Sequence, residues 1–185
     1  MRTPQQWEVV ETEELQECKV FAVSRSMARS PRTGEIHPFF RIEAGDWVNV
    51  VPITADDELV LVRQYRHGSR EITLEIPGGI VDPGETPAEA AARELLEETG
   101  YRADRVESIG WVNPNPAIFE NRCHTFLAPE VVPVAPIQNT QLEETSVELV
   151  SVSEVPHLLR QGKIPHALVV AALYWYALEV QMGGR

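Results

Sequence analysis

Residues 79–101, GIVDPGETPAEAAARELLEETGY, leave the backbone little choice. Thr86 followed three residues later by Glu89 makes a capping box, Pro87 takes the first helical position, and Gly100 stops the helix. Between them Ala88, Ala90, Ala91, Ala92, Leu95 and Leu96 favour helix. The helix expected over 87–99 carries Glu94, Glu97 and Glu98 at spacings of three and four, so at about 3.6 residues per turn they share one face. Like charges so placed cost a helix roughly a few tenths of a kcal/mol unless a cation lies between them. For oxygen ligands that cation is a hard divalent ion, Mg2+ or Mn2+. A solvated acidic face is the alternative. Ahead of the helix, LEIPGGIVDPGE reads as an apolar strand and a loop whose Gly78, Gly79 and Gly84 let backbone approach a ligand closely. Strand, glycine loop and helix N-terminus in series suit anions and metals.

The rest of the chain sets bounds. Its 185 residues, 43% hydrophobic, suit one domain with a small subdomain. A formal charge of −12 argues against nucleic acid or an acidic membrane surface as partner, so a phosphate substrate must be met by local Arg or Lys and by metal. Cys18 and Cys123 lack ligand spacing and read as reduced thiols of a cytoplasmic protein. No signal peptide is visible, and no apolar run approaches the roughly 20 residues of a membrane span. The longest, 166–180, reads as a buried C-terminal helix.

Strands alternate with helices along the chain. Residues 7–29 and 37–47 read as two or three antiparallel strands about the turn SPRTGE, and 47–66 as two strands about Ala55-Asp56-Asp57, with Val60, Val62 and Gln64 on one face. RVESIGWVNP, NRCHTFLAPEVV and VELVSVS read as further strands, and SEVPHLLRQG as a short helix. The expected fold class is α/β, an α/β/α sandwich on a mixed central sheet, with an N-terminal antiparallel β subdomain at 1–45 and the main domain at 46–185.

Gly79, Glu85 and Arg93-Glu94-Leu95-x-Glu97-Glu98-x-Gly100-Tyr101 together resemble the signature of the Nudix hydrolases, G-x5-E-x7-R-E-U-x-E-E-x-G-U, where U is bulky and apolar. Seven fixed residue types at about 7% each match by accident on the order of once in 10^8 starting positions. The last U is Tyr101 rather than the usual Ile, Leu or Val. That variant, with VRQYRHG, LEIPGGIVDPGE and NPNPAIFENRCHTFLA, resembles the branch that cleaves ADP-ribose and nucleoside diphosphate sugars. The resemblance is specific from about Asp46 to Ala128.

By that resemblance the chain hydrolyses the pyrophosphate bond of a nucleoside diphosphate sugar with Mg2+ or Mn2+. Glu94, Glu98 and the Gly78 carbonyl are the expected metal ligands, with Glu97 next. Glu85 and Arg93 are expected to pair with each other, orienting loop against helix or acting in catalysis. Glu143, then Glu144, on the acidic loop are the expected general base, with Glu97 as the alternative within the signature. Glu75, Arg63 or Arg66, and Pro116 are expected at the substrate; Asn-Pro-Ala at 115–117 is similar to relatives with a wider set of sugars than ADP-ribose alone. The N-terminal strands, which would leave long open edges, are expected to form a homodimer, with Phe39, Phe40, Arg41 or Trp47 near a nucleobase. Hydrolysis of nucleoside triphosphates or dinucleoside polyphosphates, or a sensor without turnover, are the competing functions; the intact glutamate set disfavours the sensor.

Overall fold

A computed structural model of the chain describes residues 3–139 and 144–183. They form two compact units, Met1–Gly45 with Asn113–Arg122, and Asp46–Val112 with Cys123–Arg185.

The first unit is an antiparallel sheet in the order β1 (Glu8–Glu17), β2 (Phe21–Arg29), β3 (Ile36–Ala44). Ser30 makes the second reversal, its hydroxyl accepting from the backbone N–H groups of Arg32 and Thr33, while Gly34 adopts the left-handed φ of 77° that the turn requires. Every residue of β1 is exposed, and what β2 buries is small: Ser24, Ser26 and Ala28. Phe119, from the segment 113–122, bridges Ile42, and Arg41 pairs with Glu120 at 2.6 Å.

The second unit holds the core. Strand β4 (Trp47–Pro52) runs parallel to β10 (Cys123–Ala128), and both are flanked by antiparallel partners, β7 (Gly78–Ile80) on one side and β9 (Glu107–Val112) on the other. A second sheet has the order β12 (Thr145–Ser151), β5 (Glu58–Arg66), β6 (Glu71–Glu75); β8 (Tyr101–Arg102) and β11 (Val132–Pro133) make a two-stranded ribbon. Helices are α1 (Pro87–Thr99), α2 (Val155–Arg160) and α3 (Ala167–Gly183). The period-two alternation of the strands divides the apolar side chains between two cores. Val48, Val50 and Val60 pack with Ala90, Ala91 and Leu95 of α1, while Val51, Leu59 and Leu61 pack with Val169, Ala172 and Leu173 of α3. Helices on both faces of mixed sheet give the expected α/β/α architecture.

Three sequence expectations are corrected. Gly78 and Gly79, expected in the loop after the strand, instead form a second strand, β7. Pro77 has no N–H to continue the ladder; its carbonyl accepts from Val50 N at 2.8 Å, so the chain leaves β5 as β6 and joins β4 as β7. NRCHTFLAPEVV likewise divides into β10 and β11 about Glu130, at a φ of 51°. Finally, α3 is buried along one side only, with Val170, Tyr174, Val180 and Met182 exposed. Among the described residues no helix is long and apolar enough to cross a membrane.

Candidate active site

Helix α1 starts and stops where its local chemistry dictates. The Thr86 hydroxyl accepts from Glu89 N at 3.3 Å, the Glu89 carboxylate accepts from Thr86 N at 2.8 Å, and Gly100, at a φ of 72°, donates to Leu96 O at 2.8 Å. The helix packs on β4 and β7, which brings its acidic face to the strap at Gly78–Ile80. Glu98 Oε2 accepts the Gly78 N–H at 2.9 Å. Gly78 is sterically required, because a Cβ there would strike the backbone Val48 O; a Cβ at Gly79 would meet the Glu94 carboxylate, which would have to shift.

Arg93 organises the cluster. Its Nε and Nη2 donate to the two oxygens of Glu85 at 3.0 Å each, and Nη2 also donates to Ile80 O at 3.0 Å. Nη1 reaches Glu94 at 2.7 Å and Glu97 at 3.3 Å. The forked bond to Glu85 holds the guanidinium above its ordinary pKa against partial burial, with Glu94 adding to the rise. Glu85 is held below the usual carboxylate range by that same bond, outweighing slight burial, with help from the Asp82 N–H. The expected Glu85–Arg93 pair is therefore present, and it fixes the loop before α1 to the strap and to two of the three glutamates.

The donors gathered here, the oxygens of Glu94, Glu97 and Glu98 beside a closely approached backbone, are of the hard type that Mg2+ or Mn2+ takes. Among the described residues no three His, Cys, Asp or Glu converge on a ready-made cation position, and Arg93 and the Gly78 N–H bond to these carboxylates. The donor set fits a hard divalent ion in kind, and such an ion would compete with Arg93 for Glu94 and Glu97.

A second cluster centres on Glu75. It stands on an edge strand of its sheet yet is only 1% exposed. Arg66 donates to it twice, at 2.9 and 2.7 Å, and the Thr73 hydroxyl once, at 2.6 Å. Burial alone would raise the Glu75 pKa. The bonds from Arg66 and Thr73, with the charges of Arg66 and His166, outweigh it and leave the carboxyl below its usual range. An open cavity of about 1460 Å³ lies here, lined by Arg63, Gln64, Arg66, Thr73, Thr145 and His166 among others. Thr145 ties its wall to α1 through a bond to Glu98 O at 2.9 Å.

The remaining expected residues are scattered. Arg63 also lines the cavity, but its partner is Glu148, at 2.6 Å across β12. Glu144 is exposed at the cavity edge, and Glu143 lies outside the described residues. Pro116 sits in an exposed turn of the other unit. Sequence reasoning passed over His166, whose position beside a proline and just ahead of an apolar helix was its only signal. His124 has a structural place, its Nε2 3.0 Å from Asp46; the Asp46 carbonyl in turn accepts from Val81 N at the end of the strap.

A family model described as the NUDIX domain matches residues 45–173. The chain belongs to the Nudix family. This Nudix chain is 34% identical over 108 residues to the ADP-ribose pyrophosphatase of Bacillus subtilis (strain 168), covering 58% of this chain and 56% of the relative. It is 36% identical over 86 residues to the ADP compounds hydrolase NudE of Escherichia coli (strain K12), covering 46% of each. The chain thus spans about half the length of these curated relatives. A crystal structure of an ADP compounds hydrolase superposes with a TM-score of 0.86 at 25% identity, over 100% of both chains.

Proposed function

We propose that this Nudix protein hydrolyses the pyrophosphate bond of ADP-ribose or a related nucleoside diphosphate sugar, releasing a nucleoside monophosphate and a sugar phosphate. The observation that carries the reading is the Arg93 clamp, which holds Glu85, Glu94 and Glu97 against the glycine strap while Glu98 meets that strap directly. The names of the relatives, an ADP-ribose pyrophosphatase and an ADP compounds hydrolase, and of the similar solved structure, also an ADP compounds hydrolase, support this substrate class.

In this proposal Glu94, Glu98, Glu97 and the Gly78 carbonyl hold Mg2+, or Mn2+ in its place. Bound there, the ion would neutralise phosphate oxygens and make hydroxide available from water near neutral pH. Arg93 and Glu85 are positioning residues, since their bonds fix where the glutamates stand. Arg66 or Arg63 would meet the substrate's phosphate or ribose with a planar fork of donors, and Pro116 would shape the substrate's surroundings. Glu144 or Glu143, with Glu97 as the alternative, would take the proton of the attacking water as the new P–O bond forms and the bridging P–O bond breaks. The protein would act in the cytoplasm as a homodimer assembled through β1–β3.

The test is incubation with Mg2+ and a panel of ADP-ribose, ADP-glucose, UDP-glucose, diadenosine tetraphosphate and deoxynucleoside triphosphates. Turnover confined to the diphosphate sugars is expected. No turnover of any, with ADP-ribose still bound, would leave a sensor and end the enzyme reading. For Glu98→Gln, kcat should fall well over tenfold; a smaller loss, under about 1.4 kcal/mol of barrier, would remove Glu98 from the metal-ligand set.

A further inference from the structure

The cavity beside β5 and β6 holds a polar arrangement that the α1 carboxylates do not explain. His166 immediately precedes α3, and its Nδ1 accepts the Leu168 N–H at 3.2 Å. With that nitrogen occupied as an acceptor, the neutral ring carries its proton on Nε2. Burial and, secondarily, the charge of Arg66 hold His166 below its ordinary pKa against the pull of Glu75, so the neutral ring prevails near neutral pH. Nε2 stands 3.9 Å from Oε2 of Glu75. That is too long for a direct hydrogen bond and suits one intervening oxygen, about 2.8 Å from each.

Such an oxygen must accept from Nε2–H and donate to a carboxylate at once. An ionised phosphate oxygen does the first and is repelled in the second; a hydroxyl does both. Water also satisfies the pair, and a ligand hydroxyl replaces it without losing either bond. A separate observation points the same way. Gln64 shares its strand face with Arg66 and lines the same cavity, yet its buried Nε2 has no hydrogen-bond partner among the described residues. A buried donor left without an acceptor destabilises the free protein and calls for an explanation such as a ligand.

We infer that His166 and Glu75 form a hydroxyl-recognition site for a sugar ring of the substrate, with Gln64 as a further donor in the same cavity. His166 is then a specificity-determining residue. The inference rests on the diphosphate-sugar reading above. A nucleoside diphosphate sugar offers two sources of such hydroxyls, the nucleoside ribose and the distal sugar, and the two product halves separate them.

The experiment is calorimetric titration, with Mg2+ present, of AMP and of ribose 5-phosphate into the parent and three variants, alongside melting temperatures and ADP-ribose turnover. His166→Asn keeps an acceptor for the Leu168 N–H and withdraws the donor at Nε2. It should melt with the parent and bind one product about tenfold more weakly, the other unchanged. His166→Gln, whose amide reaches the place of Nε2, should recover most of that loss. Gln64→Leu should melt no lower than the parent and weaken the same product. Equal weakening of both products, weakening of neither, or a loss of binding that tracks a fall in melting temperature would overturn the inference. A parent that cleaves ADP-ribose while His166→Asn binds both products normally would sink this inference alone. A parent that neither binds nor cleaves any diphosphate sugar would remove the functional reading and this one with it.

Discussion

At the scale of single residues, two buried groups carry measurable signatures. Glu75 is nearly inaccessible, and Arg66 compensates its charge. Because the folded pKa of Glu75 lies below its usual value, the pairing stabilises the protein above about pH 4.5 and is lost as pH falls through and below that value. Arg66→Met removes two of the influences that lower this pKa and leaves burial, the largest influence, to raise it. The variant should therefore lose about 1–3 kcal/mol near neutral pH, the range being discounted because the arginine is partly exposed. Its deficit relative to the parent should grow as pH rises from about 3 to 6, by urea denaturation at each pH. A deficit that is flat with pH would mean that Arg66 does not control the Glu75 charge. The cysteines offer a simpler contrast. Cys123 is buried, and burial together with the Asp46 charge pushes its thiol up to about 12, whereas Cys18 is exposed. Iodoacetamide near pH 8 should label one thiol per chain in the native protein and two in denaturant, counted by mass spectrometry.

At the scale of elements, the contact between α1 and β7 is the joint on which the site depends. Gly79→Ala would drive a methyl group into the Glu94 carboxylate. Since the strap is short and lies at a sheet edge, the helix and core should survive while the glutamates move. We expect a melting temperature within a few degrees of the parent and kcat/KM for ADP-ribose lowered by at least tenfold, or about 1.4 kcal/mol of barrier. Unchanged kcat/KM would show that the Glu94 carboxylate can shift without cost. Helix α1 was legible from the sequence because its signals are local: Thr86, Glu89, Pro87 and Gly100 lie within fifteen residues, and the Arg93–Glu85 pair within eight. The division of LEIPGGIV between two sheets was not, since it depends on which distant strand takes the Pro77 carbonyl. The setting of Glu75 was equally hidden. Its partners Arg66, Thr73 and His166 come from β5, β6 and the approach to α3, which only the register of the sheet and the packing of that helix bring together. The polarity of α3 misled for a related reason. An apolar run of that length implies burial all round, but only one side meets the strands, and Tyr174 and Val170 remain open.

At the scale of the whole molecule, charge and apolar surface pull in opposite directions. Each chain carries a formal charge of −12, so two copies repel at long range. Yet the β1–β3 sheet, with Trp7 just ahead of it, exposes Trp7, Val9, Val10, Leu15, Phe21, Phe39 and Phe40, more than isolated surface hydrophobics account for, and Trp7 and Phe39 already stack edge to face at 5.2 Å. If that sheet is the dimer surface, association is driven by apolar contact against electrostatic repulsion. Added salt should then strengthen it, because screening shortens the reach of the repulsion from about 30 Å at 0.01 M to about 10 Å at 0.1 M and leaves the apolar term in place. Sedimentation equilibrium should find two chains per particle, with a dissociation constant that falls as salt is raised across that range. Phe40→Asp, which puts a further negative charge on the sheet, should weaken the dimer at least tenfold and steepen its salt dependence. A dimer that loosens with salt would instead be held by ion pairs. In that case Arg25 with Glu13 and Arg29 with Glu8, which pair within the sheet, would be the residues to exchange partners between copies.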